Sequence, residues 1–269
     1  MLDVKFYGSN ESNEWFVRQF VVFKFSDVFL TEKFIPRPDI SIIFHFKNRP
    51  RILEHEGFRL EPIFVTSITS QSFVLHFEGA MDSFVVICKP TVFTRLFGID
   101  LSPIPKRSVD LSHTAFESLW HRLSLLETAE ERVACFTRFI NSCTRQPYTR
   151  DTIDLLYDKI IESGPTMLLK DIFKGCPACR RTLERNFKRR TGVSPKKLMR
   201  IVRFDYLWKK INHEASVDYQ DLVFDGKFFD QAHFINDFKY ITGETPSYFF
   251  NRNLQITKMF SGRIEGTII

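Results

Sequence analysis

Between Phe16 and about Phe97 the apolar residues come in short runs rich in β-branched and aromatic side chains: "FVRQFVVFKF", "ISIIFHF", "PIFVTSI", "SFVLHFEG" and "SFVVICKP". Clusters of turn formers such as "PRPD", "KNRP" and "EGAMD" separate them. Runs of this length between turn signals predict strands, and their succession predicts an antiparallel β domain, a small barrel or sandwich. From about Ser112 the spacing becomes helical. Phe116, Leu119, Trp120 and Leu123 share one face of a first helix. A second starts at "TAEE", where Thr128 and Glu131 have capping-box spacing, and continues through Val133, Phe136 and Ile140. These two helices either pack back on the β domain or pair with a second subunit.

The polar stretch "SCTRQPYTRD", residues 142–151, marks a boundary. After it "DTIDLLYDKIIESGP" predicts a helix with Ile153, Leu156 and Ile160 on one face, stopped by Gly164 and Pro165. Short helical segments follow, and "NRNLQITKMFSGRIEGTII" reads as a weakly structured tail. The pattern is α+β: a β-rich region with trailing helices over 1–145, an all-α region over 151–250, and a tail over 251–269.

Inside the all-α region one frame occurs twice. "FKRRTGVSP" at 187–195 and "FKYITGETP" at 238–246 share Phe187/Phe238, Lys188/Lys239, Thr191/Thr242, Gly192/Gly243 and Pro195/Pro246. Phe, Gly and Pro at fixed offsets set packing and turns, so this is one supersecondary unit built twice. On the helix ending in the first frame, a 100° step per residue puts Leu183 and Phe187 on one side and Arg181, Arg185 and Lys188 on the other. In the second copy Phe234 and Phe238 take the inner places, and Ala232, Asn236 and Lys239 the outer ones. A helix that shows Arg and Asn outward after a short helix and a tight turn fits a recognition helix in the DNA major groove. There Arg matches guanine O6/N7 and Asn matches adenine N6/N7.

The charge distribution strengthens that picture. The chain carries +6 overall, but residues 170–210 alone hold 14 Lys and Arg against 3 Asp and Glu, while the segments on either side are slightly acidic. Excess positive charge confined to one segment predicts a polyanion site. Composition, at 269 residues with 43% hydrophobic and 26% charged, is that of a folded protein with room for two cores. The N-terminus lacks a signal-peptide pattern and no apolar run is long enough to span a bilayer, which predicts a cytoplasmic protein with no membrane partner. Five scattered cysteines read as reduced thiols.

Two rival chemistries have weaker signals. "CPAC", Cys176 to Cys179, has the spacing of a redox pair at the start of the first recognition helix, where a thiol pKa is lowered; this gives a redox-responsive regulator as an alternative. His45, His55 and His76 fall in or beside predicted strands, but the close His-x-His and Glu of a metal-dependent cupin enzyme are missing, and strand histidines serve more often as hydrogen-bonded structural residues. No nucleophile triad, phosphate-cradling loop or dinucleotide fingerprint is present. The expectation is a binding protein without cofactor, not an enzyme.

The stretch "FFDQAHFINDFKYITGETPSYFF" resembles the second helix-turn-helix of AraC-type transcription regulators, and "LERNFKRRTGVSPKKLMRIVRF" resembles the first unit and the start of its linker helix. The resemblance covers roughly 151–250; the N-terminal region is more loosely similar to cupin-like β domains. It implies a bacterial, sequence-specific regulator with a seven-helix DNA-binding domain behind a sensing or dimerising domain. Its partners would be double-stranded DNA, a small-molecule effector or a second copy of the chain, and RNA polymerase where it activates. Carried over by position, base-facing places fall at Arg181, Glu184 and Arg185 and at Gln231, Ala232 and Asn236. Arg180, Lys188, Arg189 and Lys239 fall where phosphate is held, and Asp230 and His233 where the second recognition helix is braced. The chain departs from the pattern at Lys227, where the family has a turn Gly, and at Phe173, Pro177 and Cys179. Asp218, Asp221, Asp225, Asp230 and Asp237 surround the second unit, which predicts weaker phosphate affinity there than in the first.

Overall fold

The computed structural model describes residues 2–54, 58–102, 108–144, 146–176, 178–213 and 218–250. The expected tail, His55 and Pro177 lie outside the described residues.

The N-terminal half is a two-sheet antiparallel sandwich. The larger sheet has six strands in the order β1 (Leu2–Gly8), β2 (Val17–Phe25), β9 (Met81–Cys88), β4 (Ile40–His45), β7 (Ile63–Thr66) and β10 (Ser108–Asp110). The smaller has β3 (Phe29–Phe34), β8 (Phe73–Glu78), β5 (Arg51–Ile52) and β6 (Phe58–Arg59). Phe23, Phe64, Leu75, Phe77, Val85 and Ile87 cluster between the sheets. Alternation along each strand sends Phe20, Val22, Ile42, Phe44, Phe84 and Val86 to the opposite face of the large sheet, where helices cover them.

The stretch read as a β domain ends in a helix. Residues 90–97, "PTVFTRLF", form α1 (Pro90–Phe97), which has Pro in its first turn and Gly98 at φ 67° as its C-cap. Val92 and Phe93 are held there by burial against the sheet, which overrides their strand preference. Helices α2 (Ala115–Ser124) and α3 (Ala129–Ser142) pack back on the large sheet, and α3 carries the expected Thr128/Glu131 capping box. A second capping box, Asp151 with Asp154, opens α4 (Thr152–Ser163).

Two 3₁₀ turns lead to α5 (Arg180–Thr191), α6 (Pro195–His213), α7 (Tyr219–Asp225), α8 (Gln231–Thr242) and α9 (Pro246–Phe250). The hydrophobic core runs without a break from the large sheet through α1–α4 to Leu183 and Phe187 of α5 and Leu198 and Ile201 of α6. The second unit has its own core of Phe204, Leu207, Trp208, Leu222, Phe234 and Phe238, to which the β domain contributes Ile35.

Candidate DNA interface

The repeated frame makes the same local structure twice. Phe187 and Phe238 are both buried. The Thr191 hydroxyl donates within hydrogen-bond range of the Phe187 and Val193 carbonyls, both at 2.9 Å, and Thr242 does the same to Phe238 and Glu244, again both at 2.9 Å. Gly192 and Gly243 follow in the left-handed region at φ 85° and 77°, each donating its N–H over 2.8 Å to the carbonyl of the frame lysine. Pro195 and Pro246 then open the next helix. The shared residues are thus the stop and restart of a helix, and the unshared ones are left free to differ.

The outer faces differ in charge and in preoccupation. Arg181, Arg185 and Lys188 of α5 are exposed, as are Gln231, Ala232, Asn236 and Lys239 of α8. Arg180 donates to Glu184 Oε1 over 2.8 Å in an exposed i,i+4 pair. Arg189 faces Asp100 of the N-terminal half at 3.7 Å. Asp230 caps α8 by accepting the His233 amide at 2.7 Å, and the Phe229 amide points at His233 Nδ1 over 3.5 Å.

The acidic residues around the second unit are mostly absorbed by the fold. Asp218 caps α7, Asp230 caps α8, Asp225 pairs with Lys210, and the buried Asp237 accepts from Arg200 Nε at 2.7 Å. Arg200 also lies over the Tyr240 ring at 4.0 Å. The repulsive field expected from sequence is correspondingly smaller, because these carboxylates have cationic or amide partners. The turn between α7 and α8 shows how the chain manages without the family's glycine. Lys227 itself takes the left-handed conformation, φ 54°, while Gly226 stays helical. A Cβ on Gly226 would lie 2.5 Å from the Phe228 ring and 2.9 Å from Leu207, so packing holds the glycine one position early.

At the "CPAC" segment Cys179 is the exposed N-cap of α5. Its thiol lies 3.2 Å from the Thr182 hydroxyl, which together with nearby amides lowers its pKa; Cys176 is half-buried, and both are free thiols. Among the described residues no group of His, Cys, Asp and Glu has the geometry to hold a metal ion. No described helix is long and apolar enough to cross a membrane.

Sequence reading missed how both helices are anchored. The last-turn carbonyls of a helix have no partner within it, and here the N-terminal half supplies them. The Leu101 amide donates to Arg189 O at 2.9 Å and the Thr94 hydroxyl to Arg190 O at 3.0 Å. At equivalent places on α8, Gln71 Nε2 donates to Tyr240 O at 3.4 Å, the Ser72 amide to Ile241 O at 2.7 Å, and the Ser72 hydroxyl to Thr242 O at 2.8 Å. Lys33 Nζ adds a bond to Thr242 O at 3.0 Å and an ion pair with Glu244 at 2.5 Å. Arg190, read from sequence only as part of a basic run, is buried. It donates to Asp151 at 2.6 Å, Asp154 at 2.7 Å and Thr91 O at 2.6 Å. The signal available beforehand was the Asp151/Asp154 spacing, but not the arginine 36 residues further on.

Two helix-turn-helix units in tandem, each ending in the same cap and the first carrying the chain's basic segment, define a DNA-binding transcription regulator. Residues 178–252 match a family described as a helix-turn-helix domain. The matched stretch is a helix-turn-helix domain of the AraC type. Residues 14–110 match a domain of unknown function (DUF6597). No curated protein matches the chain. Solved structures similar to it include ToxT from Vibrio cholerae, at 16% identity over 92% of this chain and 99% of that one, with a TM-score of 0.47. Others are ToxT from strain SCE256 with a bound unsaturated fatty acid, at 14% identity over 86% and 94% with a TM-score of 0.47, and ToxT from strain O395 bound to (E)-4-(8-methylnaphthalen-1-yl)but-3-enoic acid, at 14% over 85% and 96% with a TM-score of 0.46.

Proposed function

We propose that α5 and α8 read two adjacent major-groove segments of double-stranded DNA in the cytoplasm, and that the β domain adjusts the second helix in response to a small effector held between its sheets. The duplicated cap carries this reading: two helices with the same end structure and different exposed faces are suited to two different half-sites. Arg181, Glu184 and Arg185, and Gln231, Ala232 and Asn236, take the base-facing roles. Arg180, Lys188, Arg189 and Lys239 take phosphate. The Arg180–Glu184 pair must open for Glu184 to reach a base, and the Arg189–Asp100 contact must loosen for Arg189 to reach a phosphate.

Support for the effector is a cavity of about 150 Å³ between the two sheets. Phe34, Ile35 and Phe73 line it, and each adjoins the anchorage of α8. Lys33 precedes Phe34, Ser72 precedes Phe73, and Ile35 itself inserts into the core of the second unit.

The test is selection of bound fragments from random duplex DNA by the full chain at one fixed salt concentration. Two enriched boxes about one helical turn apart, ~10 bp, support both reading helices. A single box removes α8 from the reading, and no enrichment overturns the proposal.

A further inference from the structure

The cavity between the sheets has the imidazole of His45 in its lining. Along β4, Ser41, Ile43 and His45 face the cavity while Ile42 and Phe44 face the helices. His45 is 3% exposed, and its Nε2 is buried without a hydrogen-bond partner among the described residues. The other ring nitrogen, Nδ1, lies 2.6 Å from the hydroxyl of Ser83, which is fully buried on β9.

That pair fixes the tautomer. The Ser83 hydroxyl has no other partner among the described residues, so donating to Nδ1 is the arrangement that uses its only hydrogen. With Nδ1 as acceptor, the proton of a neutral imidazole sits on Nε2. Burial, and then the nearby Arg49 charge, hold the ring neutral, with its pKa lowered to about 3. The cavity therefore presents the buried Nε2–H donor of His45 inside a wall formed largely by residues such as Phe23, Ile43, Phe64, Leu75 and Phe77.

From this geometry we infer that the cavity takes a compact, uncharged, mainly apolar molecule carrying one acceptor oxygen, such as an aryl or alkyl carbonyl compound, and that His45 Nε2–H donates to that oxygen. The inference rests on the reading of the cavity as an effector site and names its ligand class. Size sets the first limit: an apolar cavity of this volume holds a molecule like benzene, so the ligand has on the order of six to ten non-hydrogen atoms. Charge sets the second. Of the ionised residues in the lining, Asp39 is engaged by Arg18 and the Tyr157 hydroxyl and Arg37 is not free, and the neutral imidazole offers no counter-charge. A carboxylate entering the cavity would be desolvated without compensation. Complementarity sets the third, since a site built with a buried donor discriminates strongly against an isostere that lacks the acceptor.

Three probes of nearly equal shape separate these limits: acetophenone, α-methylstyrene, in which a methylene replaces the carbonyl oxygen, and benzoate. Calorimetric titration of the full chain should show acetophenone binding about tenfold more tightly than α-methylstyrene, the worth of one net hydrogen bond to a buried donor. Benzoate should bind more weakly than either. The Nε2–H resonance of His45 should move on adding acetophenone and stay in place with α-methylstyrene. In His45→Leu the preference between the two neutral probes should vanish; the comparison on the unaltered chain decides the matter even if that variant does not fold. Equal binding of the two neutral probes, or tighter binding of benzoate, overturns the ligand class while leaving the cavity as a binding site. Failure of all three to bind overturns both this inference and the effector reading beneath it.

Discussion

Removing the Lys33 ammonium should release the second reading helix before it affects anything else. In Lys33→Met the stem and its packing remain, but the bond to Thr242 O and the ion pair with Glu244 are lost. Both side chains are mostly shielded, at 12% and 18% exposure, so the pair is not a screened surface bridge. A hydrogen bond from a charged group contributes about 1.5–3 kcal/mol, and a neutral one such as Ser72 Oγ to Thr242 O about 1 kcal/mol. Opening of this junction should therefore become easier by ~2 kcal/mol in Lys33→Met and ~1 kcal/mol in Ser72→Ala. Because the two donors share Thr242 O, the double variant should fall short of the sum. Native-state hydrogen exchange reads this directly through the backbone amide of residue 72, which donates to Ile241 O in either variant. At tenfold per 1.4 kcal/mol, its protection should fall roughly thirtyfold in Lys33→Met and about fivefold in Ser72→Ala. Amides in the centre of the large sheet, such as that of Val85, should be unaffected. If residue 72 kept its protection, or if every amide lost protection equally, the junction would not be the local hinge argued here.

Four further outcomes follow from the same contacts. Arg185→Ala should weaken binding to a selected site by about 1–3 kcal/mol and to random duplex much less, by gel shift at fixed salt, if the guanidinium reads a base; equal losses assign it to phosphate. Asp230→Ala removes the cap of α8 and should lower stability by about 1 kcal/mol in urea unfolding, with Asp230→Asn largely restoring it. Arg190→Leu should cost about 3 kcal/mol or more, since Asp154, 2% exposed, loses its nearest cationic partner; thermal melts check this. His45 is buried neutral with its pKa down at about 3, so the unfolded chain takes up the proton first. Stability from this residue is full above pH 6.5 and falls as pH drops towards 3, by about 2 kcal/mol at pH 5, and His45→Gln should flatten that part of the urea-midpoint curve.

The parts legible in sequence were those set by local chemistry. The Phe, Thr, Gly and Pro of the repeated frame specify a helix cap whatever surrounds them, so both copies could be placed from spacing alone. Thr128 and Glu131 announce α3 in the same way. Strands β2, β4, β7, β8 and β9 were visible as β-branched and aromatic runs between turns. "PTVFTRLF" lay at the end of the stretch read as a β domain and was not picked out as a helix, because Val, Thr and Phe favour strands and it is tertiary burial of Val92 and Phe93 that holds it helical. Lys227 showed that a turn was irregular but not how: Phe228 and Leu207 pin Gly226, and the lysine takes the strained conformation instead. Arg190 and His45 each looked ordinary because what distinguishes them is a partner, or a missing partner, that only folding brings near.

The two reading units are alike in their caps but not in how they are held, and that asymmetry carries the regulatory argument. The first shares a continuous core with the large sheet and α1–α4, and the buried Arg190 ties it to Asp151, Asp154 and Thr91, so moving α5 means breaking the main core. The second packs on its own core, to which the β domain adds Ile35, and a few polar bonds from Lys33, Gln71 and Ser72 hold the end of α8. Elements with few shared apolar contacts open at lower free energy than those built into the core. On the proposal made above, an effector between the sheets would press on Phe34, Ile35 and Phe73, which lie beside those weaker bonds. On that proposal one head serves as a fixed reference and the other as the adjustable one, so an effector should change which spacings of half-sites the protein tolerates more than whether α5 finds its own.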